Sequence, residues 1–239
     1  MNKKLLLAIP LVIAATLLNS FYMQKENTLT SAEKKAGWKL LFDGKTINGW
    51  RMYQNKATDC WGAKNGELYC KGSEKDKSDL RADIITKEQY ENFELMVDWK
   101  IAPQGNSGIM YHVTEDYPVA YKSGPEYQLI DDIGFPGKLE EWQKTGADYG
   151  MNIPNYKKKL KPVGEWNTSS ILFNKGHVEH WLNGEKIVEF QAWSPEWMKQ
   201  KAEGKWKDYP DYGLAKKGHI ALQDHGNKVY FKNIQITEL

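Results

Sequence analysis

Two short segments carry side chains that could move protons or grip hydroxyl groups. In Gly124-Pro125-Glu126-Tyr127-Gln128-Leu129-Ile130-Asp131-Asp132, strand alternation puts Tyr127 and Leu129 on one face and Glu126 and Gln128 on the other. A carboxylate beside an amide suits sugar recognition or general acid–base work. In Gly218-His219-Ile220-Ala221-Leu222-Gln223-Asp224-His225-Gly226, Ile220 and Leu222 share a face, and Gln223 and His225 lie on the other. His225 adds a group that titrates near neutral pH. If both segments join one sheet, their polar rows line one concave surface. Glu126 and His225 are then the catalytic candidates, and Gln128 and Gln223 would orient hydroxyls.

Further candidates are more ambiguous. Asn106 sits between Gly105 and Gly108, which allow close backbone approach, so it is a binding residue or part of a turn. Asp131 ends its strand and could bind sugar or metal, or simply serve the turn. His180 shares a face with Val178 and Leu182, so it binds substrate or sits hydrogen-bonded in the core. Trp193 lies in a segment between strands, where its ring could stack on a sugar or pack. Glu126, Asp131 and His225 offer mixed donors for a divalent metal ion, but no recognised ligand spacing accompanies them.

The elements that must position these groups are mostly strands. Alternating runs cover Trp38–Phe42, a hairpin from Asp59 to Tyr69, Asn92–Ile101, Gly108–Val113, Glu126–Ile130 and Ser169–Phe173. Val178–Leu182 and Lys186–Phe190 follow, joined through Asn183-Gly184, a strong hairpin signal. Ile220–Gln223 and Val229–Ile236 close the series. Ile133 to Trp166 is a long interruption with room for a short helix near 138–144. Ser194-Pro195-Glu196 reads as an N-cap, a first-position proline and a first-turn acid, opening a helix to about Ala202. Many short strands with few helices predict an all-β sandwich.

Composition narrows the partners. Lys3 and Lys4 followed by the apolar run Leu5–Leu18 predict a signal peptide over residues 1–20, too short for a comfortable membrane span. No cysteine lies there, which argues against a lipid anchor. Residues 21–36 are polar and expected to be flexible, leaving one domain over 37–239. The chain holds 33 basic and 31 acidic residues; without the leader's two lysines these balance, and nucleic acid is not an expected partner. Cys60 and Cys70 flank a Lys64-Asn65-Gly66 turn; a disulfide and two buried thiols both fit.

Several strings occur in a telling order: Leu41-Phe42-Asp43-Gly44, Gly49-Trp50, Gly105-Asn106-Ser107-Gly108-Ile109-Met110-Tyr111-His112, Pro125-Glu126-Tyr127-Gln128-Leu129-Ile130-Asp131, Gly164-Glu165-Trp166-Asn167, Val178-Glu179-His180-Trp181-Leu182-Asn183-Gly184 and the segment ending in His225. Together they resemble the DUF1080 family, the 3-keto-disaccharide hydrolase domain, from about Gly37 to Leu239. The resemblance implies a concanavalin A-like jelly-roll β-sandwich in an exported protein, periplasmic or on the cell surface, acting on oxidised sugars. Many members carry a histidine just after the Tyr-Gln-Leu-Ile-Asp stretch. Here Asp132-Ile133-Gly134 follows, and the next histidine after this stretch is His177, so this chain has no such group to use.

The implied reaction cleaves a 3-keto-glycoside by removing the C2 proton, eliminating the C1 aglycone and adding water. It needs a base, a stabiliser for the enolate oxygen and an acid for the leaving group. A non-catalytic carbohydrate-binding module and a conventional endo-glycosidase are the competing readings. The latter requires two carboxyls across a cleft at roughly 5–10 Å.

Overall fold

The computed structural model describes residues 25–72 and 81–239. The expected signal peptide lies outside the described residues. Thirteen strands and two α-helices are described: β1 (Lys39–Leu40), β2 (Trp50–Met52), β3 (Trp61–Lys64), β4 (Glu67–Cys70), β5 (Ile84–Thr86), β6 (Phe93–Ile101), β7 (Asn106–Val113), β8 (Glu126–Ile130), β9 (Asn167–Asn174), β10 (His177–Leu182), β11 (Glu185–Gln191), β12 (His219–Leu222) and β13 (Val229–Glu238), with α1 (Ser31–Lys35) and α2 (Pro195–Glu203).

The strands form two antiparallel sheets, the expected jelly-roll sandwich. The larger has the order β11-β10-β9-β6-β13-β4-β3, with β1 also pairing β13; the smaller runs β2-β5-β12-β7-β8. Alternation explains why these segments pair. In β6, Phe93, Leu95, Val97, Trp99 and Ile101 are buried while the residues between them are half-buried. These five meet Ile109, Tyr111, Tyr127, Leu129, Ile220 and Leu222 of the small sheet in the main core. Fully burying such a side chain stabilises the fold by roughly 1.5–3 kcal/mol. The small sheet's outer face is only partly apolar: Tyr53, Ile85, Met110, Val113, Ala120 and Ala221 form a separate cluster there.

Three features differ from the sequence reading. The stretch over 21–36, expected to be flexible, carries α1 within its described part. Thr30 and Glu33 form a reciprocal capping box, and just upstream the Asn27 backbone and side chain bond to Asn233. Strands β2 and β5 escaped notice because three residues are too few to show a period. The helix expected near 138–144 is a single 3-10 turn, Glu141–Gln143. The long segment containing it runs along β8: Gly146 N–H donates to the Gln128 carbonyl, and Gln128 N–H to that of Ala147. Helix α2 starts at Pro195 with Ser194 as its N-cap, as expected. Of the two arrangements open for the cysteines, the structure has the Cys60–Cys70 disulfide.

Candidate active site

The polar remainder of the small sheet's outer face is the floor of a pocket of about 620 Å³, within the usual range of small-ligand sites, roughly 300–1,000 Å³. The alternation of β8 aims Tyr127 and Leu129 into the core and Glu126 and Gln128 into this pocket. Asn106 of β7 lies beside them and accepts a 3.4 Å hydrogen bond from Gln128 Nε2. Gln223 and His225, just past β12, complete the floor and rim. Five of the eight site candidates are thus gathered in one place.

Gly108 explains how Glu126 reaches inward. A Cβ on Gly108 would lie 2.0 Å from Glu126 Oε1, so the carboxyl rests directly over this β7 glycine. The Gly108 carbonyl accepts from Gln223 N–H at 2.9 Å, so the carboxyl leans toward β12. There, Asp224 N–H donates to Asp83 Oδ1 at 2.9 Å. A carboxylate that the sequence reading missed, Asp83 at the entrance to β5, therefore shares the pocket with Glu126.

Neither carboxyl has an ordinary acidity. Burial pushes Glu126 up to about 8; nearby Asp83 and Asp148 add to this, and Lys205 opposes it. Burial likewise pushes Asp83 up to about 7, against the hydrogen bond from Asp224. Two carboxyls raised to different extents in one pocket are the condition for one acid and one base near neutral pH. Gln223 Oε1 and Asp224 Oδ2 are buried and have no hydrogen-bond partner among the described residues. Unsatisfied buried acceptors are costly, and both suit sugar hydroxyls.

The walls are aromatic and basic. Tyr53, Tyr121, Tyr149, Trp206 and Tyr209 line the pocket with Lys56, Arg81 and Lys205. Flat apolar rings beside hydrogen-bonding groups match the two kinds of surface a pyranose presents.

Comparison with known proteins agrees with this architecture. A family described as the 3-keto-alpha-glucoside-1,2-lyase-like domain matches residues 37–237. The chain belongs to this family. A 3-keto-disaccharide hydrolase of Bacteroides thetaiotaomicron is 33% identical over 231 residues, spanning 85% of this chain and 79% of the relative. A candidate glycosyl hydrolase of known structure from Parabacteroides distasonis is 46% identical with a TM-score of 0.83, covering 90% of this chain and all of its own. A second from that organism is 30% identical, with a TM-score of 0.64, 84% of this chain and 99% of its own.

Three candidates stand outside this pocket. Asp131 is a turn carboxylate outside it. Burial alone would raise its pKa, but backbone N–H groups of Gly134, Gln104 and Ile133 hold it below the usual value. His180 is completely buried between the sheets. Its Nδ1 pairs with the Gly146 carbonyl and its Nε2 with Tyr111 Oη, and burial lowers its pKa to about 4. Trp193 donates through Nε1 to the Gly213 carbonyl and packs on Phe173, so its ring is committed to structure.

The metal set Glu126, Asp131 and His225 does not converge. Among the described residues, two groups bring metal-type donors within 4.8 Å of one another: Cys60, Cys70 and Asp224, and His177, Glu179 and Glu189. The first has its sulfurs in a disulfide. In the second, Lys186 already pairs with both glutamates. No helix among the described residues is long and apolar enough to cross a membrane.

The residues missed by sequence, Asp83 and Lys205 above all, sit in loops or beside a three-residue strand. There, no periodicity marks which way a side chain points.

Proposed function

We propose that this protein is a carbohydrate-active hydrolase that cleaves 3-keto-glycosides by elimination and hydration. The observation that carries the reading is the pair of carboxyls Asp83 and Glu126, with raised and unequal acidities, in one aromatic-walled pocket. Family membership supplies the substrate class: the B. thetaiotaomicron relative is named for its action on 3-keto-disaccharides.

In this reading a ketone at C3 acidifies the C2 proton. Asp83, the more acidic of the two, accepts that proton; the C–H electrons form C2=C3 and charge moves to the C3 oxygen. Return of that charge re-forms the ketone, shifts the double bond to C1=C2 and breaks the C1–O bond. Glu126, protonated at pH 7, gives its proton to the departing oxygen. Water then adds across C1=C2. Gln128, Gln223, Asn106 and Asp224 orient the ring hydroxyls, and His225 stands exposed at the rim, where it can contact the aglycone.

The rate should pass through a narrow optimum between about pH 7 and pH 8, rising as Asp83 ionises and falling as Glu126 loses its proton. Incubation with a 3-keto-glucoside and its unoxidised parent, following aglycone release, tests the reaction itself. Release from the ketone alone is expected. Release from the parent would make this a conventional glycosidase, and binding without release would make it a carbohydrate-binding module.

Export to the periplasm or cell surface, without a lipid anchor, completes the proposal. It is supported by the leader-like residues 1–20 and the Cys60–Cys70 disulfide, which persists in oxidising compartments. Mass spectrometry of the secreted or periplasmic fraction should find an N-terminus near residue 20; intact protein confined to the cytoplasm would refute it.

A further inference from the structure

Three cations line the pocket, and they are held differently. Lys56 Nζ donates to the Pro118 carbonyl. Arg81 donates to the His225 carbonyl. Lys205 makes no ion pair or side-chain hydrogen bond with any described residue. Its ammonium instead lies 5.4 Å from the ring centre of Trp142, 4.9 Å from Tyr149 and 5.5 Å from Trp206, each within cation–π range.

This cage is built rather than incidental. Trp142 meets Tyr149 edge-on at 5.2 Å, and Tyr149 meets Trp206 at 6.3 Å. Trp206 is buried, is stacked at 3.9 Å on Tyr212 and donates through Nε1 to the Tyr149 carbonyl. The lysine stem crosses Gly150, where a Cβ would come within 2.7 Å of Lys205 Cδ and 2.9 Å of Trp206 Nε1. Gly150 also has φ +75°, which favours glycine for a second reason.

Aromatic faces hold a cation in place without neutralising it. A carboxylate partner would fix the ammonium equally well but would quench its field. A pre-positioned, unquenched positive charge beside a reacting centre is the arrangement that stabilises charge appearing only in the transition state. We propose that Lys205 is the electrophilic group that receives the negative charge developing on the C3 oxygen when the C2 proton leaves. This rests on the elimination reading above and assigns its enolate stabiliser, a role for which the sequence offered no candidate. Lys205 lines the same pocket as Asp83 and Glu126, so its ammonium and the two carboxyls face one substrate ring.

The test separates enolate formation from bond cleavage. A 3-keto-1,5-anhydroglucitol has the C2 proton and the ketone but no aglycone, so in D2O it reports deprotonation alone. The wild-type protein should exchange its C2 proton and should cleave a 3-keto-glucoside. Failure of both would sink the elimination reading itself. With wild-type exchange established, K205M should lose exchange and kcat by about 100- to 1,000-fold with little change in KM, and K205R should stay within about tenfold of wild type. Because the side chain is exposed, the thermal midpoint of K205M should match wild type; a merely structural lysine would move it. Trp142→Leu, which removes one ring and leaves the charge, should give a smaller loss in kcat. Exchange by K205M within threefold of wild type would overturn the proposal. So would a rise in KM alone, which would make Lys205 a ground-state binding residue.

Discussion

Glu126 and Glu179 occupy the outward faces of the two sheets, and their environments are opposite. Glu179, on β10, is half-buried on the large sheet. Burial by itself would raise its pKa, but hydrogen bonds from Lys186, Trp181 and His177 outweigh this and lower it. Glu126, on β8, has no such hydrogen-bond partner among the described residues and is pushed up to about 8. The same contrast runs across both faces. On the large sheet, Lys100 pairs with Glu67, and Asp98 accepts from Thr168 and Asn233. On the small sheet, Asp224 and Gln223 keep buried acceptors without partners among the described residues. Among the described residues, one face is satisfied by its own side chains, and the other keeps acceptors open.

The contrast breaks most sharply at the carboxyls. Glu126→Gln and Asp83→Asn should each reduce kcat/KM on a 3-keto-glycoside by about 100- to 10,000-fold while the fold persists; near wild-type rates in either would remove that residue from the chemistry. Gly108→Ala comes next. Its methyl group would take the space of Glu126 Oε1, and displacing a reacting group by about 1 Å costs on the order of 100-fold in rate. Circular dichroism alongside the assay distinguishes a displaced carboxyl from an unfolded sheet.

A stability measurement sharpens the comparison further. The folded pKa of Glu126 lies above its unfolded value, so the folded state retains a proton that the unfolded state releases between about pH 4.5 and pH 8. Stability from this group is therefore greatest at low pH and is lost as the pH rises through that window. Glu126→Gln removes the dependence. Urea titrations at pH 5 and pH 8 should show the variant gaining on wild type by up to about 4 kcal/mol over the interval. Glu179→Gln should do the reverse on a smaller scale: a loss of about 1 kcal/mol or less, with unchanged kinetics. If both variants behave alike, the two sheet faces are not electrostatically distinct.

The legible part of this site was the part with a period. Tyr127 and Leu129 announced the buried side of β8, and Glu126 and Gln128 followed by elimination; Ile220 and Leu222 did the same for Gln223. His180 obeyed the rule too, since its neighbours Val178 and Leu182 marked a core face, and the structure places it in the core. Asp83 was invisible because every residue of β5 is buried, so nothing alternates. Lys205 was invisible because its setting depends on rings contributed by Trp142 and Tyr149, about sixty residues away in a segment with no strand or α-helix. The sandwich itself was readable throughout, except where a strand had three residues.

The Cys60–Cys70 disulfide ties β3, the last strand of the large sheet, to β4. Both sulfurs also lie within 4.8 Å of the Asp224 carboxylate, the pocket residue whose backbone steadies Asp83. The sheet edge and the pocket therefore meet at a bond whose presence depends on the redox state of the compartment. Protein made under reducing conditions would lack this tie on the outer strand beside the pocket, so its behaviour would record how it was produced as well as what it encodes.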